Sequence, residues 1–346
     1  MGRIRLPEPP KRPKGVDDDA VLSVFRVPDD CGGMRLDQYL RSELRRTSRS
    51  RAHAIIRASA HDLEGRKLRP GSRVRPGALI VLWRPPWDET VVPTEIPIVY
   101  EDEHLFAVNK PPHLPVHPTT RYNKNTLIKL LEMQRPGQWL SLGHRLDRET
   151  SGVLLVSKSL DCDRAFKRAV ENREDIEKRY VALTWGIPRG AEVGVSLRHR
   201  EALKLDERAR IKVKMRTADD DETGALASST VFTVQSTSVH PINRKMYAMV
   251  HCDLETGRQH QIRVHLQSLG APIVGDKLYG PDELCFARSA DGVLTEDDLE
   301  MLELPRHALH AERLALPHPI TGAPLEIHAP LTRDMQDFWR ECAGID

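Results

Sequence analysis

The sequence predicts an α+β protein with two folded units, the larger one built on a mixed, mostly antiparallel sheet flanked by helices and loops. At 346 residues the chain exceeds the usual size of one domain, so a small unit and a large unit are expected. Short strand patterns and helix patterns recur without a regular strand-helix-strand alternation, which disfavours a doubly wound fold. The sequence has no G-x-G-x-x-G or P-loop pattern, so no nucleotide cofactor is expected.

The composition is typical of a cytoplasmic globular protein. Hydrophobic residues make up 39% of the chain and charged residues 29%, and no apolar run reaches the roughly 20 residues that a membrane helix needs. The start, MGRIRLPEPPKRPKG, lacks the apolar segment of a signal peptide, so export is not expected. The five cysteines lie far apart without a C-x-x-C pair, which argues against structural zinc and against a disulfide framework.

Positive charge is concentrated in residues 35–75, which contain twelve Arg or Lys and four Asp or Glu, although the whole chain has a net charge of only +2. Such a local excess indicates a polyanionic partner, and nucleic acid is the commonest one. A solvated basic surface is the alternative. We favour nucleic acid because the charges spread across a compact helical and hairpin pattern.

The amino-terminal part predicts a tail followed by a small folded unit. Residues 1–20 are rich in proline and charge and are expected to be disordered, whereas residues 21–83 carry helix and strand patterns. Short strands bounded by glycine and proline follow two helices. The helical positions are Leu36, Leu40 and Leu44 in the first helix and, after a serine that can cap it, Ala54, Ile55 and Ala58 in the second.

Residues 35 to about 83 resemble the alpha-L RNA-binding domain, above all in the helical stretch SRSRAHAIIR. The resemblance implies RNA binding and makes Arg49, Arg51 and Arg57 candidate phosphate contacts, which would position RNA without reading its sequence. Where that family commonly has a Val-Asn-Gly-like turn, this chain has Asp-Leu-Glu-Gly at residues 62–65.

Residues 84–97 are interrupted by prolines and are predicted to be a linker to a larger unit, residues 98–346. There, residues 105–108 are predicted to form a strand that a Pro-Pro turn ends, and residues 125–134 an amphipathic helix. GVLLVSKS and KRYVALTWG are predicted to be strands from their β-branched and aromatic content.

The stretch LGHRLDRETSGVLLVSKS sets several charges directly against an apolar strand. The glycines on both sides of HRLDRETS suggest a tight turn that would hold Asp147 in a fixed place at the edge of the core. Such support suits a catalytic carboxylate. Alternatively, Asp147 or Thr150 caps the turn through a bond to the backbone, as these residue types often do. Taken alone, this stretch favours the capped turn.

A second stretch, TGRQHQIRVHLQSLG, predicts a helix because Ile262, Leu266 and Leu269 share one face. Arg263 lies beside that face and could meet a buried carboxylate from elsewhere in the chain. Three histidines occur nearby, but no H-E-x-x-H or similar ligand spacing appears, so no metal is expected. Tyr180, in EKRYVALTWG, would by itself be a strand tyrosine that packs with its hydroxyl at the surface.

Five stretches, in this order, resemble the RluA-type pseudouridine synthase family, enzymes that isomerise uridine in ribosomal and transfer RNA. The resemblance runs from about Glu95 to Arg333. It depends on LFAVNKPPHLPVHP, HRLDRETSGVLLVSKS, EKRYVALTWG, TGRQHQIRVHLQSLGAPIVGDKLYG and RHALHAERLALPHPITGAPLEIHAPL. This chain differs in having His113 where glycine is frequent and in a longer, more charged segment at residues 190–228.

The resemblance implies a pseudouridine synthase catalytic domain preceded by the alpha-L domain, a common arrangement in the family. It makes Asp147 the catalytic aspartate and Arg263 the partner that orients it. Tyr180 would stack on the target uracil and assist the final proton removal, and Arg145 would enter the gap left by the flipped base. It also implies an RNA partner, ribosomal or transfer RNA, with no cofactor and no metal. A monomer is expected.

The sequence leaves several alternatives open. Asp147 could act as a nucleophile at the sugar or as a base at the ribose. A glycosidase-like hydrolase would pair Asp147 with a second carboxylate such as Glu149, and a non-catalytic RNA-binding protein could keep the same fold. We favour ribosomal RNA as the substrate because of the alpha-L domain, but the target uridine is not readable from the sequence. Arg148 and Glu149 are interpreted as the solvated side of the turn.

Overall fold

The computed structural model of the protein describes residues 8–44, 47–119, 121–172 and 175–344. It divides into two compact units, unit 1, Met1–Glu89, and unit 2, Thr90–Asp346. The first seven residues of the predicted tail lie outside the described ranges. Within those ranges, no helix has both the length and the apolar character needed to cross a membrane.

The described part of unit 1 contains two α-helices and a three-stranded antiparallel sheet in the order β1-β3-β2. Its elements are β1 (Val21–Arg26), α1 (Leu36–Glu43), α2 (Arg49–Ser59), β2 (Ala60–His61) and β3 (Leu79–Arg84). The predicted serine cap of α2 is confirmed, since Ser48 accepts a hydrogen bond from the Arg51 amide at 3.2 Å.

The predicted second helix of unit 1 is present as α2, and one side of it is buried. Ala52, Ile56 and Ser59 are buried, whereas Ala54 and Ala58 are exposed. The buried residues follow one another at four and three positions, the spacing that keeps side chains on one side of a helix.

Residues 8–20 were predicted to be disordered, but they belong to unit 1 and their backbone contacts the rest of it. The Lys11 amide donates to the Leu63 carbonyl at 2.8 Å, and Pro10 is buried. The chain comes so close to Gly65 that a Cβ there would lie 2.9 Å from the Lys11 carbonyl oxygen. A few backbone contacts therefore order a segment that carries little apolar surface.

Unit 2 is built on a large sheet, and the prediction of a mixed, mostly antiparallel sheet in an α+β fold is confirmed. Over the described residues the strand order is β4-β5-β7-β14-β8-β13-β12-β9, with β15 paired to β14 and β6 to β7, while β10 and β11 form a separate hairpin. The pairs are antiparallel except that β7 and β14 are parallel. The strands are β4 (Ile98–Glu101), β5 (Leu105–Lys110), β6 (Ser141–Leu142), β7 (Ser151–Ser157), β8 (Glu177–Trp185), β9 (Ser196–Arg200), β10 (Ala202–Leu205), β11 (Met215–Ala218), β12 (Ser229–Val239), β13 (Met246–Leu254), β14 (Leu309–Pro317) and β15 (Pro324–His328).

Helices flank this sheet, and the two that the sequence predicted in unit 2 are present as α3 and α5. They are α3 (Leu127–Gln134), α4 (Leu160–Asn172), α5 (Gln261–Ser268), α6 (Leu284–Asp291), α7 (Glu296–Leu302) and α8 (Arg333–Ala343). The charged segment at residues 190–228 contributes β9 and the β10–β11 hairpin.

β7 has apolar side chains on both faces because both faces of the sheet are covered. Leu154 and Val156 belong to the main core, whereas Val153 and Leu155 pack with Phe166 of α4 in a second core. A strand buried on both faces reads as a continuous apolar run rather than an alternating one. This burial fixes the start of β7, which is where the charged turn ends.

The predicted linker, residues 84–97, is not a free connection. Arg84 ends β3 of unit 1, and Val92 and Ile96 are buried in the main core of unit 2. Unit 2 begins at Thr90, before the predicted start at residue 98, because these two apolar side chains pack in its core.

Candidate active site

Asp147 lies in the turn between β6 and β7. Its carbonyl accepts the Thr150 amide at 3.2 Å, which closes the turn. Next to it, Thr150 Oγ1 is 2.8 Å from His307 Nε2 and Ser151 Oγ is 2.9 Å from His310 Nδ1. The Asp147 carboxylate makes no hydrogen bond to its own turn among the described residues, so the side chain does not serve as a cap.

Gly152 allows β7 to approach β14 beside this turn. A Cβ at this position would lie 2.1 Å from the Ala311 carbonyl oxygen, and the φ angle is +110°, where side chains other than hydrogen are disfavoured. Ser151 pairs with His310 and Gly152 with Ala311. The glycine of the charged stretch is therefore required by the strand junction that supports Asp147.

Arg263 on α5 joins two carboxylates. Its Nε and Nη2 donate to Asp276 at 2.6 and 2.8 Å, and its Nη1 donates to Asp147 Oδ2 at 2.9 Å. Asp276 also accepts the amides of Leu278 and Tyr279 at 2.9 Å each. Asp276 therefore holds the guanidinium by a two-point contact, and one remaining N–H orients Asp147.

The surroundings keep Asp147 ionised. Burial by itself would raise its pKa, but His260 and His307, which are protonated in the acid range where Asp147 titrates, and Arg263 hold the pKa at about 2. The side chain is 23% exposed, whereas that of Arg263 is 6% exposed. Burial likewise opposes the charge of Arg263, yet Asp276 and Asp147 raise its pKa above the usual value. The pair is charged at neutral pH.

The second oxygen of Asp147 has a different neighbour. His260 Nε2 lies 3.8 Å from Oδ1, which is too far for a hydrogen bond. The other ring nitrogen, Nδ1, lies 2.8 Å from the Tyr279 hydroxyl. Oδ1 therefore makes no hydrogen bond among the described residues and is available to react.

Tyr180 lies on β8, where it pairs with Ala311 on one side and Cys252 on the other. It is buried, and its hydroxyl has no hydrogen-bond partner among the described residues. Burial and the charge of Asp147 both raise the pKa of the phenol. A protonated phenol thus lies within the electrostatic reach of Asp147.

Glu149 corrects the interpretation of the turn's remaining charges. It is buried and accepts from Lys277 Nζ at 2.9 and 3.0 Å and from Arg148 at 3.0 Å. Burial favours its neutral form, but Lys277, His307 and Arg148 hold its pKa at about 2. Glu149 is therefore half of a buried ion pair and not the solvated side of a turn.

The four remaining predicted residues are exposed. Arg145 is exposed in the same turn as Asp147. Arg49, Arg51 and Arg57 are exposed on α2 in unit 1, and Arg49 contacts Asp37 at 3.3 Å.

Three site residues were missed by the sequence reasoning, namely Asp276, Lys277 and His260. The first two stand in GDKLYG, within a quoted motif, but only the fold brings them to Arg263 and Glu149. His260 has a φ of +58° just before α5. No pattern in the sequence predicts this backbone conformation. Asp276 could have been predicted from one general requirement, which is that a buried arginine needs a buried carboxylate.

Metal-ligand residue types meet at one place in the described ranges, Asp282, Cys285 and Asp298. Arg288 donates to both carboxylates at 2.8 and 2.6 Å. The arginine already supplies the positive charge that a cation would bring.

Comparisons with known proteins give one family. Residues 104–268 match the family model described as RNA pseudouridylate synthase. The chain is 31% identical to ribosomal large subunit pseudouridine synthase D of Xanthomonas campestris, covering 92% of both chains. It is 33% identical to the protein of the same name from Zymomonas mobilis, covering 90% of this chain and 94% of that one.

Solved structures give the same fold. Human RNA pseudouridylate synthase domain containing 4 superposes with a TM-score of 0.53 at 25% identity, covering 71% of this chain and 92% of that one. Human RNA pseudouridylate synthase domain containing 1 gives a TM-score of 0.51 at 26% identity, covering 68% and 84%.

Proposed function

Because the chain belongs to the RNA pseudouridylate synthase family and is an RNA pseudouridine synthase, we propose that Asp147 is its catalytic carboxylate and large-subunit ribosomal RNA its substrate. The observation that carries the first part is the state of Asp147. It is ionised, Arg263 binds Oδ2 at 2.9 Å, and Oδ1 is left without a hydrogen bond among the described residues.

The reaction needs such a carboxylate. It breaks the bond between ribose C1′ and uracil N1, turns the base, and joins C1′ to C5, so that C5 loses a proton and N1 gains one. Oδ1 of Asp147 acts in the first step, as a nucleophile at C1′ or as a base at the ribose. Arg263 holds the carboxylate in a fixed direction, since positioning is a large part of catalysis.

Tyr180 stacks on the flipped base, and Arg145 fills the gap that the base leaves in the RNA. A base that leaves its stack costs a few kcal/mol, and stacking on an aromatic ring offsets about 1–3 kcal/mol. Tyr180 supplies the ring, and its raised pKa keeps the phenol protonated. It can therefore take up the proton that C5 loses only if it gives its own proton to uracil N1, which gains one in the reaction. Arg145, exposed in the Asp147 turn, enters the gap.

Unit 1 contributes RNA contacts that are independent of the chemistry. We assign this role, as an alpha-L domain, to the exposed face of α2 that carries Arg49, Arg51 and Arg57. Contacts of this kind bind phosphates and lose affinity as salt is added.

A hydrolase that pairs Asp147 with Glu149 is disfavoured. Such enzymes keep one carboxylic acid protonated to deliver a proton to the leaving group. Glu149 is bound by Lys277 at 2.9 Å and its pKa is about 2. Both carboxylates of the pair are then ionised.

The test is an Asp147→Ala variant assayed on ribosomal RNA transcripts. We expect pseudouridine formation to fall by at least about 10²–10⁴-fold, the range that a removed acid-base or nucleophilic group typically costs, while RNA affinity stays within a few-fold. Pseudouridine in the variant at the wild-type rate would refute the role of Asp147. Free uracil released by the wild type would favour the hydrolase, and RNA binding without product would favour a silent binding protein.

The proposed target, large-subunit ribosomal RNA, is supported by the relatives that are named ribosomal large subunit pseudouridine synthase D. The target RNA can be identified by mapping pseudouridines in cellular RNA with and without the gene. Sites lost from large-subunit RNA support the proposal, and sites lost only from transfer RNA contradict it. A cytoplasmic location and a monomeric state remain predictions from the sequence.

A further inference from the structure

A line of contacts reaches Oδ1, the Asp147 oxygen that Arg263 does not bind. The Met215 amide, at the start of β11, donates to the Tyr279 hydroxyl at 2.8 Å. That hydroxyl lies 2.8 Å from His260 Nδ1, and His260 Nε2 lies 3.8 Å from Oδ1. Tyr279 is 1% exposed and the His260 side chain 9%, so these groups depend on one another for partners.

The contacts fix which ring nitrogen carries the proton. Because the Tyr279 oxygen already accepts from Met215, its own proton is free to be donated, and His260 Nδ1 is the acceptor at hydrogen-bond distance. A neutral imidazole has one N–H and one lone pair, so an accepting Nδ1 leaves the proton on Nε2. In the other tautomer, with the proton on Nδ1, the buried Tyr279 hydroxyl proton would have no acceptor among the described residues. Leaving a buried donor without a partner is costly.

The ring is neutral at physiological pH. Burial and the charge of Arg263 lower the pKa of His260 to about 4. A second full positive charge beside Asp147 would make the carboxylate less reactive, whereas a neutral N–H attracts Oδ1 without binding it. At 3.8 Å the oxygen remains open to the substrate.

The backbone holds the ring in this position. His260 has φ +58° and ψ 15°, a left-handed conformation that is uncommon outside glycine and is found at functional sites, where surrounding contacts maintain it. It immediately precedes α5, which carries Arg263. The first turn of α5 and the residue before it therefore place Arg263 at Oδ2 and His260 near Oδ1 of Asp147.

We propose that His260 is a positioning residue for Asp147: Tyr279 fixes its ring as the Nε2–H tautomer, and that N–H directs the free carboxylate oxygen toward the substrate. The inference rests on the proposed catalytic role of Asp147.

Two substitutions separate this role from a structural one. Asn in H260N keeps an acceptor near Nδ1 for Tyr279 and tolerates the left-handed backbone, but has no donor toward Oδ1. Gln in H260Q places an amide N–H near Nε2 and loses the contact with Tyr279. Single-turnover rates on a ribosomal RNA transcript should fall about 100-fold in H260N, the size of a misplaced reacting group, and about 10-fold or less in H260Q, with RNA affinity unchanged in both. A structural role predicts the reverse order, and that order would overturn the proposal.

A second comparison applies even if H260Q does not fold. Y279F removes the donor that fixes the tautomer and should slow the reaction by about 10-fold. If Tyr279 acts through His260, the double variant H260N/Y279F is no slower than H260N, whereas multiplied losses would refute the coupling. In the full-length wild type, ¹⁵N spectra of the His260 ring should give an unprotonated Nδ1 and a protonated Nε2. The opposite assignment also refutes the proposal.

The outcomes distinguish the two levels of inference. If the wild type forms no pseudouridine on any ribosomal or transfer RNA, both the catalytic assignment and the role of His260 fail. If the wild type is active, D147A is inactive and H260N reacts at the wild-type rate, only the role of His260 fails.

Discussion

Three of the charges that precede the apolar strand β7 are paired. Asp147 meets Arg263, and Glu149 meets Lys277 and Arg148. A charge left buried without a partner costs about 3–5 kcal/mol, so these pairs fix the register of the turn. The turn can then leave Oδ1 of Asp147 open while Arg263 holds Oδ2.

Replacement of Lys277 by Met should destabilise unit 2 by about 3 kcal/mol, because Glu149 then keeps a buried charge with Arg148 as the one remaining Lys or Arg that contacts it among the described residues. The free energy of unfolding from urea denaturation measures the loss. The double variant E149Q/K277M should recover part of it. The matched control is K129M, which breaks the more exposed pair with Glu132 and should cost at most about 1 kcal/mol. Equal losses in K277M and K129M would contradict the buried pair.

Strand β14 determines the spacing of the site at the scale of elements. It lies between β7 and β8, and Ala311 pairs with Gly152 on one side and with Tyr180 on the other. Neighbouring strands lie about 4.8 Å apart, so the strands that support Asp147 and carry Tyr180 are separated by about 10 Å. That separation leaves room for a base between their side chains.

Replacement of Gly152 by Ala should cost at least about 3 kcal/mol, because the methyl group meets the Ala311 carbonyl and the left-handed backbone adds strain. Gly190 offers the matched control, since its φ is +82° with nothing within 4 Å. G190A should therefore cost only the strain, about 1–2 kcal/mol. Thermal and urea unfolding compare the two, and similar losses would show that β7 and β14 can separate.

Histidines make the stability of unit 2 depend on pH at the scale of the whole molecule. Burial is the main cause that lowers their pKa values from an ordinary 6.5 to about 3 or 4, so the folded state holds them neutral. They are His144, His260, His265, His307 and His310. Between about pH 6.5 and 4 the unfolded chain binds these protons and the folded chain does not, so stability is lost as the pH falls.

The free energy of unfolding should decrease by up to about 1.4 kcal/mol per pH unit for each such histidine in this window. Urea denaturation at pH 7, 6 and 5 measures the slope, and H310Q should reduce it by one histidine's share. The pKa of Asp147 is about 2, so activity lost between pH 6 and 4 should follow unfolding rather than protonation of the proposed catalytic carboxylate. An unfolding free energy that is flat from pH 7 to 5 would contradict this account.

The sequence predicted the parts of the fold that depend on local patterns. The runs of β7 and β8 and the helix α5 follow from strand propensity and helical spacing. Arg263 was expected to meet a buried carboxylate, but its two-point partner Asp276 was not foreseen. The pairing of Glu149 with Lys277 spans 128 positions, and no local pattern specifies a contact of that range.

The position of β14 also sets the order in which the protein can be completed. β8 ends at Trp185, whereas β14 begins at Leu309, so a ribosome releases both Asp147 and Tyr180 long before the strand that separates them exists. Until then the facing edges of β7 and β8 are unpaired and open to wrong pairing. A nascent chain at that stage contains every candidate catalytic side chain but lacks β14, the strand that sets the distance between them. It can therefore become active only after its carboxyl-terminal strands have been made.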